Sequence, residues 1–89
     1  MLIPDFTNRF KKDYKLAMKR NLDISLIDAI ISDLINEIPL AAKHKDHALI
    51  GDYVGCRECH IKPDWLLIYQ VGNGIIVFER TGTHSDLFG

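Results

Sequence analysis

Cysteine and histidine meet once in this chain, in Cys56-Arg57-Glu58-Cys59-His60. The spacing C-x-x-C-H is that of covalent c-type haem attachment, and two thiols beside an imidazole also suit a zinc site or a redox pair. Three further histidines (His44, His47 and His84) and the carboxylate of Asp64 beside Trp65 are the other groups able to move a proton or ligate a metal.

Backbone geometry separates these chemistries. Tyr53 to Ile61 is rich in β-formers and is bounded by Gly51 and by the turn Lys62-Pro63-Asp64. In an extended strand successive side chains alternate, so Cys56, Glu58 and His60 share one face while Arg57, Cys59 and Ile61 share the other. Thiols on opposite faces cannot bond each other, flank one haem edge or clamp one metal. A zinc site recruiting His44 and His47 lacks the two well-spaced ligand pairs of a closed structural site. The expectation is no metal and no cofactor, with Cys59 a small buried hydrophobe beside Ile61 and Cys56 a half-exposed spacer.

The elements that place these groups follow from period and punctuation. Met1 to Phe6 reads as a short edge strand marked by Pro4. Thr7 or Asn8 caps a helix to about Arg20 with Phe10, Tyr14, Ala17 and Met18 on one face. Asn21 is a left-handed stop. Asp23 or Ser25 caps a second helix carrying the apolar stripe Leu26, Ile27, Ile30, Ile31, Leu34 and Ile35, with Pro39 just beyond it. The period then changes: strands at Tyr53 to Ile61, Trp65 to Val71 and Ile75 to Thr81 are joined by Lys62-Pro63-Asp64 and by the hairpin turn Gly72-Asn73-Gly74. The predicted fold is α+β, a β-α-α-β-β-β chain. Its N-terminal helical hairpin packs on one face of a small, mainly antiparallel four-stranded sheet, and residues 1–89 form one domain.

That topology gathers the chemistry. In an antiparallel meander the end of one strand lies beside the start of the next, so His60, Asp64, Trp65 and His84 come to one end of the sheet, with His47 entering just before it. Two imidazoles serve as base and acid in one step, and a carboxylate orients one of them. The indole of Trp65 offers a face to a nucleobase, and Lys43, Lys45, Arg57, Lys62 and Arg80 offer charge to phosphates. These are the parts for metal-independent RNA transesterification through the 2′-hydroxyl. Each also has a plainer reading: Trp65 as a core aromatic at a strand start, the basic set as a solvated rim.

Composition fits an ordinary globular chain, with 89 residues, 47% apolar and 26% charged. The net charge of −1 says nothing of a nucleic-acid partner, but its distribution does: Arg9 to Arg20 holds six Lys/Arg against one Asp, and Asn21 to Pro39 holds four carboxylates and no Lys or Arg. No apolar leader and no membrane-length run appear, so the expected location is the cytoplasm, with reduced thiols and no membrane partner.

Beyond these patterns, Lys45 to Phe88 resembles the YafQ-type toxins of the RelE/ParE superfamily. The motif K-D-H-x-L-x-G stands at Lys45 to Gly51. G-x-R-[ED]-x-H-[IV]-x-P-D-W-[IL]-L-I-Y stands at Gly55 to Tyr69, and R-T-G-T-H-x-x-L-F at Arg80 to Phe88. The resemblance covers about half the chain and makes Cys56 to His60 an instance of R-E-x-H with incidental cysteines. It implies a type II toxin-antitoxin toxin, an endoribonuclease cutting translated mRNA in the ribosomal A site. It implies His47, His60, Asp64 and His84 as catalytic residues, His60 and His84 as the main proton-transfer pair, and Trp65 and Phe88 as RNA-holding residues. It further implies a cognate antitoxin of ribbon-helix-helix type and contact with operator DNA only through the antitoxin complex. The alternative is a ParE-like inhibitory binding protein without RNase activity, a branch lacking the His-Asp-His pattern. Two departures stand out: Ala48 where proline is frequent, and Cys56 where an aromatic is common.

Overall fold

A computed structural model describes residues 1–89. The elements in chain order are β1 (Ile3–Phe6), α1 (Asn8–Lys19), α2 (Ile24–Ile35), β2 (His47–Ala48), β3 (Arg57–Lys62), β4 (Trp65–Gly72), β5 (Ile75–Gly82) and α3 (His84–Phe88), with 3-10 turns at Ala42–His44 and Gly51–Tyr53.

The helix boundaries have identifiable causes. The Thr7 hydroxyl accepts from the Phe10 N–H at 3.0 Å, and the Asp23 carboxylate accepts from the Ser25 N–H at 3.1 Å. Each cap satisfies a donor that the first helical turn leaves free, worth about 1 kcal/mol. Between the helices Asn21 takes a left-handed φ of 59°, a conformation asparagine tolerates better than most residues. The two helices lie on the same sheet face, α1 over β5 and α2 over β3. They bury Phe10, Ala17, Ile27 and Ile30 against Cys59, Ile61, Trp65, Leu67, Tyr69, Ile76 and Phe78.

The sheet order is β1-β5-β4-β3-β2, with β1 parallel to β5 and every other pair antiparallel. The β4–β5 hairpin closes over Asn73 and Gly74, both at positive φ (54° and 76°), which matches the twist of a tight two-residue turn. Tyr69 pairs with Phe78 and Ile68 with Arg80, so Glu79 is an extra residue in β5. This bulge returns Thr81 to the helix-covered face, where it meets Trp65. Residues Trp65 to Tyr69 are all buried. The odd positions face the helices, while Leu66 and Ile68 pack with Cys56 and Leu87 on the other face. A second apolar cluster therefore docks α3, and burial of Leu66, Ile68 and Leu87 contributes roughly 1.5–3 kcal/mol each.

The α+β class and the helical hairpin are as expected; three details of the elements differ, and one of burial. The sheet has five strands, because His47 and Ala48 pair with Glu58 and Arg57. Two residues are too short for an alternating pattern to reveal. β3 starts at Arg57 and not at Tyr53, because Gly51 to Tyr53 turns and Gly55 holds a φ of 90°. Finally, Thr83 and Asp86 form a reciprocal capping box that starts α3. Cys56 is buried among Leu66, Ile68 and Leu87, so it is a core residue and not the half-exposed spacer expected. No helix is long and apolar enough to cross a membrane.

Candidate active site

Three imidazoles meet at one rim of the sheet. The His60 ring centroid lies 6.3 Å from that of His47 and 5.8 Å from that of His84. Cross-strand pairing of His47 with Glu58 sets the first neighbour, and the capping box at the start of α3 sets the second. The Asp64 carboxylate in the β3–β4 turn accepts from the His84 backbone N–H at 2.9 Å and from its ring Nδ1 at 2.6 Å. The backbone N–H first, and then the ring, hold the Asp64 carboxyl below its ordinary range. His84 is thus fixed at Nδ1, and its Nε2 has no protein partner. This is the arrangement in which a carboxylate orients an imidazole for proton transfer at the opposite nitrogen.

Glu58, absent from the sequence reading of the site, lies beneath two of the rings. It is only 5% exposed. Its Oε2 is 3.2 Å from His47 Nε2 and 3.7 Å from His60 Nε2, and its buried Oε1 has no hydrogen-bond partner. The other nitrogens of these rings face backbone carbonyls. His47 Nδ1 donates to Lys45 O at 2.6 Å, and His60 Nδ1 lies 3.3 Å from Pro63 O. His44, the fourth histidine, donates from Nδ1 to the His60 carbonyl at 2.7 Å and so braces β3 from outside the cluster.

The expected RNA-binding residues divide. Phe88 is half-exposed and meets Tyr53 edge-on with ring centroids 5.7 Å apart. Lys43, Lys45 and Lys62 line a cleft of about 710 Å³ together with His44 and His60. Arg57 is partly exposed but donates to Asp46 at 2.9 Å, and Tyr69 also donates to that carboxylate. Two of the expected residues are largely enclosed by the fold. Trp65 is only 4% exposed, on the helix-covered face, with its indole N–H donating to Thr81 Oγ1 at 3.0 Å. Its ring lies within the core cluster in this structure. Arg80 forms a two-pronged pair with Asp13 at 2.7 and 3.1 Å, and its side chain is 14% exposed. It ties β5 to α1.

The two thiols lie in separate apolar clusters on opposite sides of the sheet. Burial pushes the Cys59 thiol up to about 12 and raises that of Cys56, which keeps both protonated and poor as nucleophiles or ligands. No group of three or more His, Cys, Asp or Glu side chains is arranged to hold a metal ion.

With this geometry in place, comparison with known proteins is direct. Residues 2–89 match the family model described as "Bacterial toxin of type II toxin-antitoxin system, YafQ". The chain is 44% identical over 86 residues to the mRNA interferase toxin YafQ of Escherichia coli K12, covering 96% of this chain and 94% of the relative. It is similar to the toxin in a crystal structure of the E. coli DinJ–YafQ complex, with TM-score 0.93, 42% identity and full coverage of both chains. It is also similar to a metal-bound toxin from Helicobacter pylori, with TM-score 0.92, 41% identity, and 99% and 100% coverage. The match along nearly the whole chain shows that this protein belongs to the YafQ family of bacterial type II toxins.

Proposed function

We propose that this protein is an mRNA interferase that cleaves translated mRNA on the ribosome by 2′-hydroxyl transesterification. In this reading one imidazole of the His60–His84 pair takes the 2′-hydroxyl proton. The 2′-oxygen then attacks phosphorus, the bond to the 5′-oxygen breaks, and the other imidazole returns a proton to that oxygen. The products are a 2′,3′-cyclic phosphate and a 5′-hydroxyl, and the proton transfers themselves require no metal. Asp64 orients His84, His47 contacts the phosphate or assists transfer, and Phe88 with Lys43, Lys45 and Lys62 holds the RNA. The observation that carries the reading is the 5.8 Å approach of His60 to His84, with Asp64 fixing the second ring. A protein acting this way works in the cytoplasm, with residues 1–89 as a single toxin domain. A cognate antitoxin of ribbon-helix-helix type neutralises it, and operator DNA is met only through that complex.

The test is cell-free translation with primer extension on the message. Wild type cuts the transcript, and His60→Ala and His84→Ala each abolish cutting while still binding the antitoxin. An uncut transcript with arrested growth supports an inhibitory binding protein instead.

A further inference from the structure

We propose that His44 is a positioning residue for the proton-transfer site. Its hydrogen bond to the His60 carbonyl clamps the turn at Ala42–His44 onto the end of β3 and so sets where His60 and His47 stand. The inference rests on reading the site as an acid–base ribonuclease, and it concerns the one histidine to which that reaction gives no part.

The starting point is the weak backbone support around His60. On one side β3 pairs with β4, and the register slips directly after His60. His60 stands opposite Leu66 but Lys62 opposite Trp65, which leaves Ile61 as an extra residue. Such a bulge bends its strand and disrupts the ladder locally. On the other side β2 is only His47–Ala48. Its pairing of His47 with Glu58, carried two residues further, would set Lys45 opposite His60. The strand stops short of that position because Lys45 is left-handed, with φ 47° and ψ 46°, outside the extended region a strand requires. A backbone acceptor left without a strand partner needs another donor. His44 Nδ1 supplies one, 2.7 Å from the His60 oxygen.

The same turn holds the neighbouring ring. The His44 and Lys45 N–H groups donate to the Ala41 and Ala42 carbonyls at 3.0 and 3.1 Å, which closes the turn on itself. Left-handed Lys45 then presents its own carbonyl to His47 Nδ1 at 2.6 Å. One turn therefore grips the His60 backbone through a side chain and the His47 ring through a carbonyl, and these two rings lie 6.3 Å apart. The His60 carbonyl can only accept, so a neutral His44 carries its proton on Nδ1. Loss of that donor frees the turn from β3, and both imidazoles lose their fixed placement relative to His84. Catalysis tolerates little of this, since a misplacement of about 1 Å costs roughly 100-fold.

The experiment pairs cleavage kinetics on ribosome-bound mRNA with long-range ¹⁵N–¹H spectra of the histidine rings. It compares wild type, His44→Ala and His44→Asn, whose side-chain amide N–H falls near the place of Nδ1. His44→Ala is expected to lose roughly 10- to 100-fold in kcat with KM within about twofold. It should shift the His60 and His47 ring signals and lower Tm by no more than about 8 °C. His44→Asn should recover most of the rate and the wild-type ring signals. Wild-type kcat in His44→Ala, a loss confined to KM, or a folded His44→Asn as slow as His44→Ala overturns the proposal. The second of these would mean that His44 meets RNA in the lysine-lined cleft instead. If His44→Ala fails to fold, the wild-type spectrum decides: a neutral His44 protonated at Nδ1 supports the clamp, and one protonated at Nε2 overturns it. If wild type cuts no RNA, the ribonuclease reading falls, and the ring signals in the variants still decide whether His44 positions His60 and His47.

Discussion

Asp86 lets the docking of α3 be tested without touching a catalytic group. Its carboxylate accepts from Arg20 Nη1 at 2.7 Å and Nη2 at 3.3 Å, and from the Thr83 N–H at 3.0 Å. It thereby caps the helix that carries His84 and Phe88 and ties that helix to the end of α1. Arg20 first, and then the Thr83 N–H, hold the carboxyl down at about 2, against an ordinary 3.8. At 1.36 kcal/mol per pH unit this corresponds to at most ~2.5 kcal/mol favouring the folded carboxylate. The two side chains are 43% and 25% exposed, and screening by water brings the expected contribution to about 1 kcal/mol. Asp86→Asn should therefore lower stability by about 1 kcal/mol at pH 7, or about 4–8 °C in Tm. It should reduce cleavage by no more than about fivefold, the factor that 1 kcal/mol of α3 undocking produces.

The pH dependence of that loss has a definite sign. A carboxylate whose folded value lies below its unfolded value stabilises fully above the unfolded value, near 4, and loses that contribution as pH falls through about 2. Urea unfolding at pH 7 and pH 3 should show the gap between wild type and Asp86→Asn narrowing at the lower pH, with unchanged m-values. An equal gap at both pH values would refute the electrostatic account and leave only packing to explain the loss.

Two other positions make separable predictions. Trp65→Phe keeps most of the buried ring but deprives Thr81 of its indole donor, so urea midpoints should report a loss of about 1–2 kcal/mol, with kcat/KM within about threefold of wild type. A large fall in kcat/KM at unchanged stability would mean that the indole meets RNA after all. Cys59 is fully buried with its thiol raised to about 12, so iodoacetamide at pH 8 should label it only after unfolding in urea. Rapid labelling of native protein would contradict its placement in the core.

The helices were legible because their information is local: caps at Thr7 and Asp23, a left-handed Asn21, and apolar stripes of helical period. The hairpin turn at Asn73-Gly74 was legible for the same reason. Strand order alone was enough to anticipate that His60, Asp64 and His84 share one end of the sheet. It could not place the Trp65 ring, because nearness along a strand end does not fix the face, and the pleat turns Trp65 toward the helices. The Arg80–Asp13 pair was not legible because Asp13 lies far away in sequence, on α1. The burial of Glu58 depends on a two-residue strand at His47 that has no period to detect. The start of α3 was written in Thr83-His84-Ser85-Asp86, a capping signal that the strand pattern before it obscured.

The reaction itself can be read from one bond. An mRNA bearing a single 2′-deoxyribose on the 5′ side of the scissile phosphate, presented on a translating ribosome, lacks the nucleophile this account requires. The account predicts no cut there, and on the unmodified message a 2′,3′-cyclic phosphate with a 5′-hydroxyl. Cleavage of the deoxy-substituted bond at the normal rate, leaving a 5′-phosphate, would contradict it.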